Sequence, residues 1–224
     1  MISGANRQTP FFVLAVFLPL VLFIALSVLL TVVNEQLQLK GSTYLAASVA
    51  LEGVVFVPAY LLALKKDRAV KFELRKKGIG QALFLWVAIF LFWQAYLLAT
   101  NALGIVPDVS QVEFFSGLQG KKDWSAAILT VGILGPIFEE LYFRGLLFRN
   151  LRVYTDFRRA SFVSASVFGI LHGLYYFLPL FVFGLLLNYL VERRNSLDAS
   201  VIVHIINNTA AVIFYFLFQE GDLV

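Results

Sequence analysis

Two glutamates and an arginine stand close together in a segment that is otherwise apolar, Ile137-Phe138-Glu139-Glu140-Leu141-Tyr142-Phe143-Arg144. An ionised side chain near the centre of a bilayer costs at least ~2.5–3.5 kcal/mol on insertion scales, and such residues usually serve a function. Glu140 and Arg144 are four residues apart, so on a helix they lie on one face and can form an ion pair. Glu139 is rotated by about 100° from Glu140. It therefore stays outside that pair and is available for chemistry.

Both histidines of the chain, His172 and His204, also lie in apolar runs. His204 and Asn208 are four residues apart, so both project donors from one helix face, as an oxyanion site requires. Phe168 precedes His172 by the same spacing, and its ring either limits the rotamers of the imidazole or is ordinary packing. A glutamate beside a histidine can bind and deprotonate a water. These groups predict hydrolysis of a peptide bond by an activated water, with no covalent acyl-enzyme.

The depth of each group in the membrane gives an independent test. We counted 1.5 Å per residue from the predicted cytoplasmic ends of the helices. On that scale Glu139, His172, His204 and Asn208 lie ~15, ~18, ~9 and ~15 Å deep. Polar groups from three helices thus share one layer, which favours a common site over unrelated helix–helix contacts.

Other chemistries were compared with the same residues. A metal ion bound by Glu139, His172 and His204 fits the ligand types, although the spacing is not diagnostic for zinc. The chain has no His-Glu-x-x-His, no Gly-x-Ser-Gly before a helix and no Gly-Asp pair inside a span. No cofactor is therefore expected, with zinc as the alternative. Asn188 and Asn207 are further intramembrane amides, each either near the site or a helix contact.

The elements that must position these groups are transmembrane helices. Of the 224 residues, 60% are hydrophobic and 14% charged, against about 45–50% and ~25% in soluble domains. The predicted fold class is an all-α polytopic membrane protein with about seven transmembrane helices. The spans are predicted at about 11–33, 43–64, 81–103, 124–148, 160–176, 177–191 and 198–218. The fifth and sixth meet near Pro179, and residues 104–123 form either an external loop or an eighth membrane element.

The distribution of basic residues predicts the orientation. Residues 65–77 hold seven basic and two acidic side chains, so the positive-inside rule places this loop in the cytoplasm. Alternation then puts the N-terminus on the same side. The loop lacks an aromatic or glycine pattern suited to nucleic acid, and no such partner is predicted. The absence of cysteine excludes disulfides, thiolate metal ligands and a cysteine nucleophile.

The polar residues resemble the motifs of the CAAX-processing and bacteriocin-processing (CPBP, or abortive-infection) family of intramembrane endopeptidases. That family is characterised by Glu-Glu-x-x-x-Arg, Phe-x-x-x-His and His-x-x-x-Asn (or Asp), each inside a membrane span. In this sequence the three motifs follow in order as Glu139-Glu140…Arg144, Phe168…His172 and His204…Asn208. The resemblance covers about residues 124–218. The first three spans match only as membrane helices.

The resemblance implies a helical bundle with a conical cavity open to the cytoplasmic side and to the membrane. It implies that Glu139 and His172 activate the water and that His204 and Asn208 form the oxyanion site. The Glu140–Arg144 pair would then support this geometry. Members of the family were first taken for metalloproteases and are now generally described as glutamate proteases.

The family also bounds the substrate and the location. The predicted substrate is a CAAX-type, bacteriocin-type or other membrane-associated peptide, prenylated or not, reached in contact with lipid. We expect one integral membrane domain over residues 1–224, with N-terminal helices at about 11–103 and a catalytic core at about 124–218. The expected location is a bacterial or archaeal cell membrane, with the N-terminus cytoplasmic. Two alternatives are a non-enzymatic self-immunity or scaffold protein and a proton-linked transporter.

Overall fold

The computed structural model describes residues 13–39, 41–75, 79–105, 118 and 120–221. Within these ranges the chain is helical and contains no strand. The helices, in chain order, are α1 (Leu18–Leu37, preceded by a π-helical turn at Val13–Phe17), α2 (Gly41–Leu64), α3 (Ile79–Ala102), α4 (Gly120–Tyr154), α5 (Phe157–Leu171), α6 (Phe177–Arg194) and α7 (Asp198–Gly221). This architecture confirms the prediction of an all-α polytopic membrane protein.

Five of these helices are long and apolar enough to cross a membrane, namely α1, α2, α3, α4 and α7. The fifth and sixth predicted spans correspond to helices that do not reach this standard. Helix α5 has only 15 residues, and the 18 residues of α6 end in Glu192, Arg193 and Arg194. Most of the predicted loop or eighth element at 104–123 lies outside the described residues, although α4 begins at Gly120.

The sixth span was predicted to begin at residue 177, and α6 begins there, whereas the fifth was predicted to end at residue 176 and α5 ends five residues earlier. Helix α5 ends at Leu171, and a short turn through Gly173 leads to α6 at Phe177. Gly173 has a φ of +92°, a region that side-chain-bearing residues rarely adopt, so the glycine sets the position of the turn. Pro179 lies in the first turn of α6, where no backbone N–H is needed. His172 therefore sits at the end of a helix and not in its middle.

Helix α4 is the most buried of the five long helices, and α1 and α3 are the least. Helix α4 is not uniformly α-helical, because Ile128–Leu134 and Leu141–Phe148 are π-helical. The N–H of Gly135 bonds to the carbonyl of Thr130, five residues back, and Pro136 then begins the α-helical turn Gly135–Glu140. Proline cannot donate to a helical ladder, and Pro136 lies where the π-helical segment of α4 changes to the α-helical one. The two adjacent glutamates end that turn.

Glycines allow α2 and α7 to pack closely against α4. A Cβ on Gly53 would lie 2.9 Å from the ring of Phe138, and a Cβ on Gly132 would lie 2.9 Å from Oγ1 of Thr209. Small residues at helix interfaces let backbones approach in membranes, where side-chain packing drives association. These contacts fix the distances between the helices that carry the polar groups.

We expect Gly145→Ala to lower the thermal unfolding temperature in detergent. The new Cβ would lie 2.8 Å from Cε2 of Tyr60, whose ring is held by a 2.7 Å bond from its hydroxyl to the carbonyl of Val70. Overpacking of this kind costs about 1–3 kcal/mol, which the roughly 1 kcal/mol gain in helix propensity only partly offsets. Gly80→Ala is the matched control, because nothing lies within 4 Å of its Cβ position. An equal or larger loss in the control would contradict this packing.

The basic loop between α2 and α3 is less solvated than its composition predicts. Ala69 and Val70 are buried, and the N–H of Val70 donates to the carbonyl of Gly145 on α4. Farther along, the N–H of Arg75 donates to Oδ2 of Asp198 at the start of α7. The loop therefore joins α4 to the start of α7 at the end of the bundle that is predicted to be cytoplasmic.

Candidate active site

A buried ion pair lies at the centre of the bundle. Nη1 of Arg144 donates to Oε1 of Glu140 at 2.8 Å, and both side chains are 0% exposed. Nδ1 of His204 lies 2.9 Å from the same carboxylate oxygen. The predicted Glu140–Arg144 pair is thus present. Glu140 has a second partner, His204 on α7, which the helix spacing did not predict. Truncating one member of such a buried group leaves an uncompensated charge.

Phe168 contacts three of the polar groups. Its ring centroid is 4.3 Å from Cζ of Arg144, 4.6 Å from the ring of His172 and 5.7 Å from that of His204. Nε and Nη2 of Arg144 are buried and have no hydrogen-bond partner among the described residues, so the ring face replaces polar partners on that side of the guanidinium. Phe168 is therefore more than ordinary packing.

Glu139 lies between the two histidines. Its Oε1 is 3.7 Å from Nε2 of His172, and its Oε2 is 3.6 Å from Nε2 of His204. Its side chain is 14% exposed, whereas that of His172 is 33% exposed and that of His204 only 2%. Both separations exceed a direct hydrogen bond. The carboxylate and the two rings therefore bound one small volume that is reached from the side of His172.

The hydrogen bonds assign the ring tautomers. Nδ1 of His172 is 2.7 Å from the carbonyl oxygen of Phe168, which can only accept, so Nδ1 carries the hydrogen. Nδ1 of His204 likewise faces the Glu140 carboxylate that pairs with Arg144. In the neutral form of each ring, Nε2 then bears a lone pair directed towards Glu139. The rings can accept a proton or a hydrogen bond at the same place.

Asn208 lies one turn beyond His204 on α7, as its spacing predicts. Its Nδ2 donates to the carbonyl of Val131 at 3.2 Å, in the first π-helical segment of α4. Asn207 accepts from Nε1 of Trp86 at 3.3 Å on α3. The bond to Val131 ties the Asn208 amide to α4. One of its two N–H groups is used by Val131.

Asn188 is a helix contact rather than a site residue. Its Nδ2 donates to the carbonyl oxygen and to Oγ of Ser161, at 3.2 and 3.3 Å, and the side chain is fully buried between α6 and α5. The sequence left open whether Asn188 lies near the site or bonds a neighbouring helix, and the structure shows the bond to a neighbouring helix.

The structure adds a carboxyl group that the sequence reasoning missed. Oε2 of Glu52, on α2, lies 3.8 Å from the position of a Cβ on Gly135, which precedes Glu139 by four residues in the same α-helical segment of α4. A signal was available, because Glu52 is the only acidic residue in the second predicted span and lies near its middle. An ionisable residue in that position suggests function by default.

The metal alternative was compared with the same geometry. No group of three or more His, Cys, Asp or Glu side chains is arranged to hold a metal ion in the part of the chain that the structure describes. The chelator arm of the cleavage assay below tests zinc directly.

Fold and site together define a helical membrane protein in which a carboxylate on α4 lies between imidazoles of two other helices. Residues 121–210 match the model of a family described as type II CAAX prenyl endopeptidase Rce1-like. This segment contains every predicted site residue, and the match confirms the resemblance inferred from the motifs.

Two named relatives support the same grouping. The chain is 33% identical over 87 residues to "Putative membrane peptidase YdiL" of Bacillus subtilis, an alignment that covers 38% of this chain and 36% of the relative. It is 24% identical over 161 residues to "UPF0177 protein YxdF" of Lactococcus lactis, covering 67% of this chain and 84% of the relative. The chain thus spans about a third of the length of YdiL. No solved structure matches it.

Proposed function

We propose that this protein is an intramembrane endopeptidase in which Glu139 activates a water for attack on a peptide bond. The observation that carries the proposal is the position of the Glu139 carboxylate, with one oxygen 3.7 Å from Nε2 of His172 and the other 3.6 Å from Nε2 of His204. The similarity of residues 121–210 to a family of endopeptidases supports it. The catalytic roles of the individual residues stay predictions.

The first step is the attack of water on the carbonyl carbon. Glu139 accepts a proton from the water as the oxygen–carbon bond forms. Nε2 of His172 bears the lone pair of a neutral ring, so it can accept the second hydrogen of the water and orient it. The bond from Nδ1 to the carbonyl of Phe168 holds that ring in place. Collapse of the tetrahedral intermediate breaks the carbon–nitrogen bond, and the amine leaves with a proton.

The oxyanion of the intermediate needs donors on the opposite side. His204 supplies one when it is protonated on both nitrogens, and the Glu140 carboxylate at 2.9 Å stabilises that cation. The N–H of Asn208 that is not bonded to Val131 can supply a second. Preorganised donors of this kind are worth about 10²–10³ in kcat each. Glu140 and Arg144 act through His204 and hold its orientation.

The substrate proposed is a membrane-associated peptide of CAAX or bacteriocin type, cleaved near the cytoplasmic face of a bacterial or archaeal membrane. The apolar helices around the site suit a substrate that reaches it from the lipid. The basic loop at residues 65–77 supports a cytoplasmic N-terminus through the positive-inside rule.

The test uses purified protein in bilayer nanodiscs with pairs of peptides that are identical except for a prenyl group. Each peptide is incubated with and without a chelator, and products are identified by mass spectrometry. We expect cleavage at one bond in at least one pair and the same rate after chelation. Loss of cleavage on chelation, restored by zinc, would replace the metal-free mechanism. If no peptide is cleaved and the protein instead carries a proton-coupled flux, the peptidase assignment is wrong.

A further inference from the structure

Glu52 is a partly buried acid to which neither the motifs nor the proposed mechanism gives a role. It lies at the twelfth position of the 24-residue helix α2, so ~18 Å from the end at Leu64. Its Oε2 is buried and has no hydrogen-bond partner among the described residues. Buried polar groups in native proteins are nearly always bonded, so an exception calls for an explanation.

The position of Glu52 points to the candidate active site. Its Oε2 is 3.8 Å from where a Cβ on Gly135 would lie, and Gly135 has no side chain to separate the carboxyl group from α4. Glu139 is four residues after Gly135 on the same α-helical turn, so both lie on one helix face. Side chains on a helix lean towards its N-terminus, which directs Glu139 back over Gly135. The two carboxyl groups therefore face the same volume from neighbouring helices.

The surrounding charges differ between the two acids. Glu139 lies 3.7 and 3.6 Å from the Nε2 atoms of His172 and His204, whereas no described Lys, Arg or His forms an ion pair with Glu52. Arg144 is already paired with Glu140. An isolated carboxylate in an apolar environment is strongly disfavoured, which favours the acid form at Glu52, whereas the two imidazoles beside Glu139 favour a carboxylate there. This gives the site an acid beside its base, the division of labour that hydrolysis of an amide requires.

We propose that Glu52 is a further catalytic residue, the general acid that protonates the leaving amine, an inference that rests on the peptidase function proposed above. Water gives one proton to Glu139 as its oxygen bonds to the carbonyl carbon. As the carbon–nitrogen bond breaks, Glu52 gives its proton to the amine nitrogen. The proton on Glu139 then passes to Glu52 through a water. The products are a carboxylic acid and an amine, and both glutamates return to their starting states.

The test compares two substrates that differ only in the scissile bond. One is a cleaved peptide from the panel above. The other replaces the scissile amide by an ester with a phenol leaving group, which departs without being protonated. We expect Glu52→Gln to lower kcat on the amide about 10²-fold, with KM unchanged, and to change kcat on the ester by less than about 5-fold. Glu139→Gln is expected to lose both activities, because both bonds need the activated water.

These outcomes separate the two proposals. Equal loss on both substrates in Glu52→Gln, or no loss on either, overturns the acid role while leaving the peptidase function intact. Retention of amide cleavage in Glu139→Gln overturns the peptidase mechanism itself. The thermal unfolding temperature of Glu52→Gln in detergent shows whether the variant is folded, and Glu52→Asp, which keeps the acid, is expected to recover part of the amide rate.

Discussion

Replacing Glu139 by glutamine is expected to reduce peptide cleavage by about 10²–10⁴-fold, the usual contribution of a general base. The amide of glutamine cannot take a proton from water, although it fills nearly the same space between the two imidazoles. The unfolding temperature should change little, because the Glu139 carboxylate lies 3.7 and 3.6 Å from the two rings, beyond the distance of a direct hydrogen bond. The measurement is the initial rate on the best peptide of the panel, together with thermal unfolding in the same detergent.

The matched control for this change is Glu35→Gln. Glu35 is an exposed glutamate on α1, so the substitution alters net charge by the same amount far from the site. Its cleavage rate should equal that of the unmodified protein. A Glu139→Gln protein that cleaves at the full rate would end the assignment of Glu139 as the base. If Glu139→Gln unfolds at a much lower temperature, its rate would report folding and not chemistry.

Replacing Glu140 by alanine is expected to cost about 3–5 kcal/mol of stability, because it leaves the guanidinium of Arg144 buried and unpaired. Both side chains are 0% exposed, so water cannot take the place of the lost carboxylate. The same change removes the partner of His204 Nδ1. Cleavage should therefore fall as well, even at temperatures where the protein stays folded. Unfolding in detergent, followed by circular dichroism, measures the first effect.

Glu192→Ala is the control for this second change. Arg152 and Glu192 form an ion pair of nearly the same length, 2.9 Å, but their side chains are 26% and 36% exposed. Exposed pairs are worth about 0–1 kcal/mol, so the control should unfold close to the original temperature. Similar losses for the two substitutions would mean that burial does not set the strength of the Glu140–Arg144 pair. A Glu140→Ala protein without any shift would contradict the pair itself.

Local spacing was a good guide to contacts within one helix. The i,i+4 rule predicted the Glu140–Arg144 ion pair, and the structure shows it at 2.8 Å. The same rule placed Phe168 against His172. Spacing was a poor guide to contacts between helices, because it carries no information about rotation. It therefore did not predict that His204 bonds to Glu140, or that Asn208 donates to Val131.

The end of the fifth span, inside the apolar run from 160 to 191, was also beyond the sequence reasoning. Hydropathy is nearly constant there, so the span was predicted to continue to residue 176, although α5 ends at Leu171. The actual turn is set by Gly173 at a φ of +92°, and Pro179 is accommodated in the first turn of α6. This moves His172 to a helix end, where its side chain is 33% exposed.

The sequence by itself determined the class of this protein and the identity of most of the polar residues in the candidate site. Apolar composition requires membrane helices, and a charge inside such a helix requires either a partner or a function. Only the tertiary structure decided which groups meet, because that depends on the rotation and close approach of separate helices. It brought Glu52 of α2 close to Gly135, on the face of α4 that carries Glu139. The sequence pattern does not show which helices approach each other at a glycine. The three motifs identify the residues of the candidate site, and the packing of the helices determines which residues contact them.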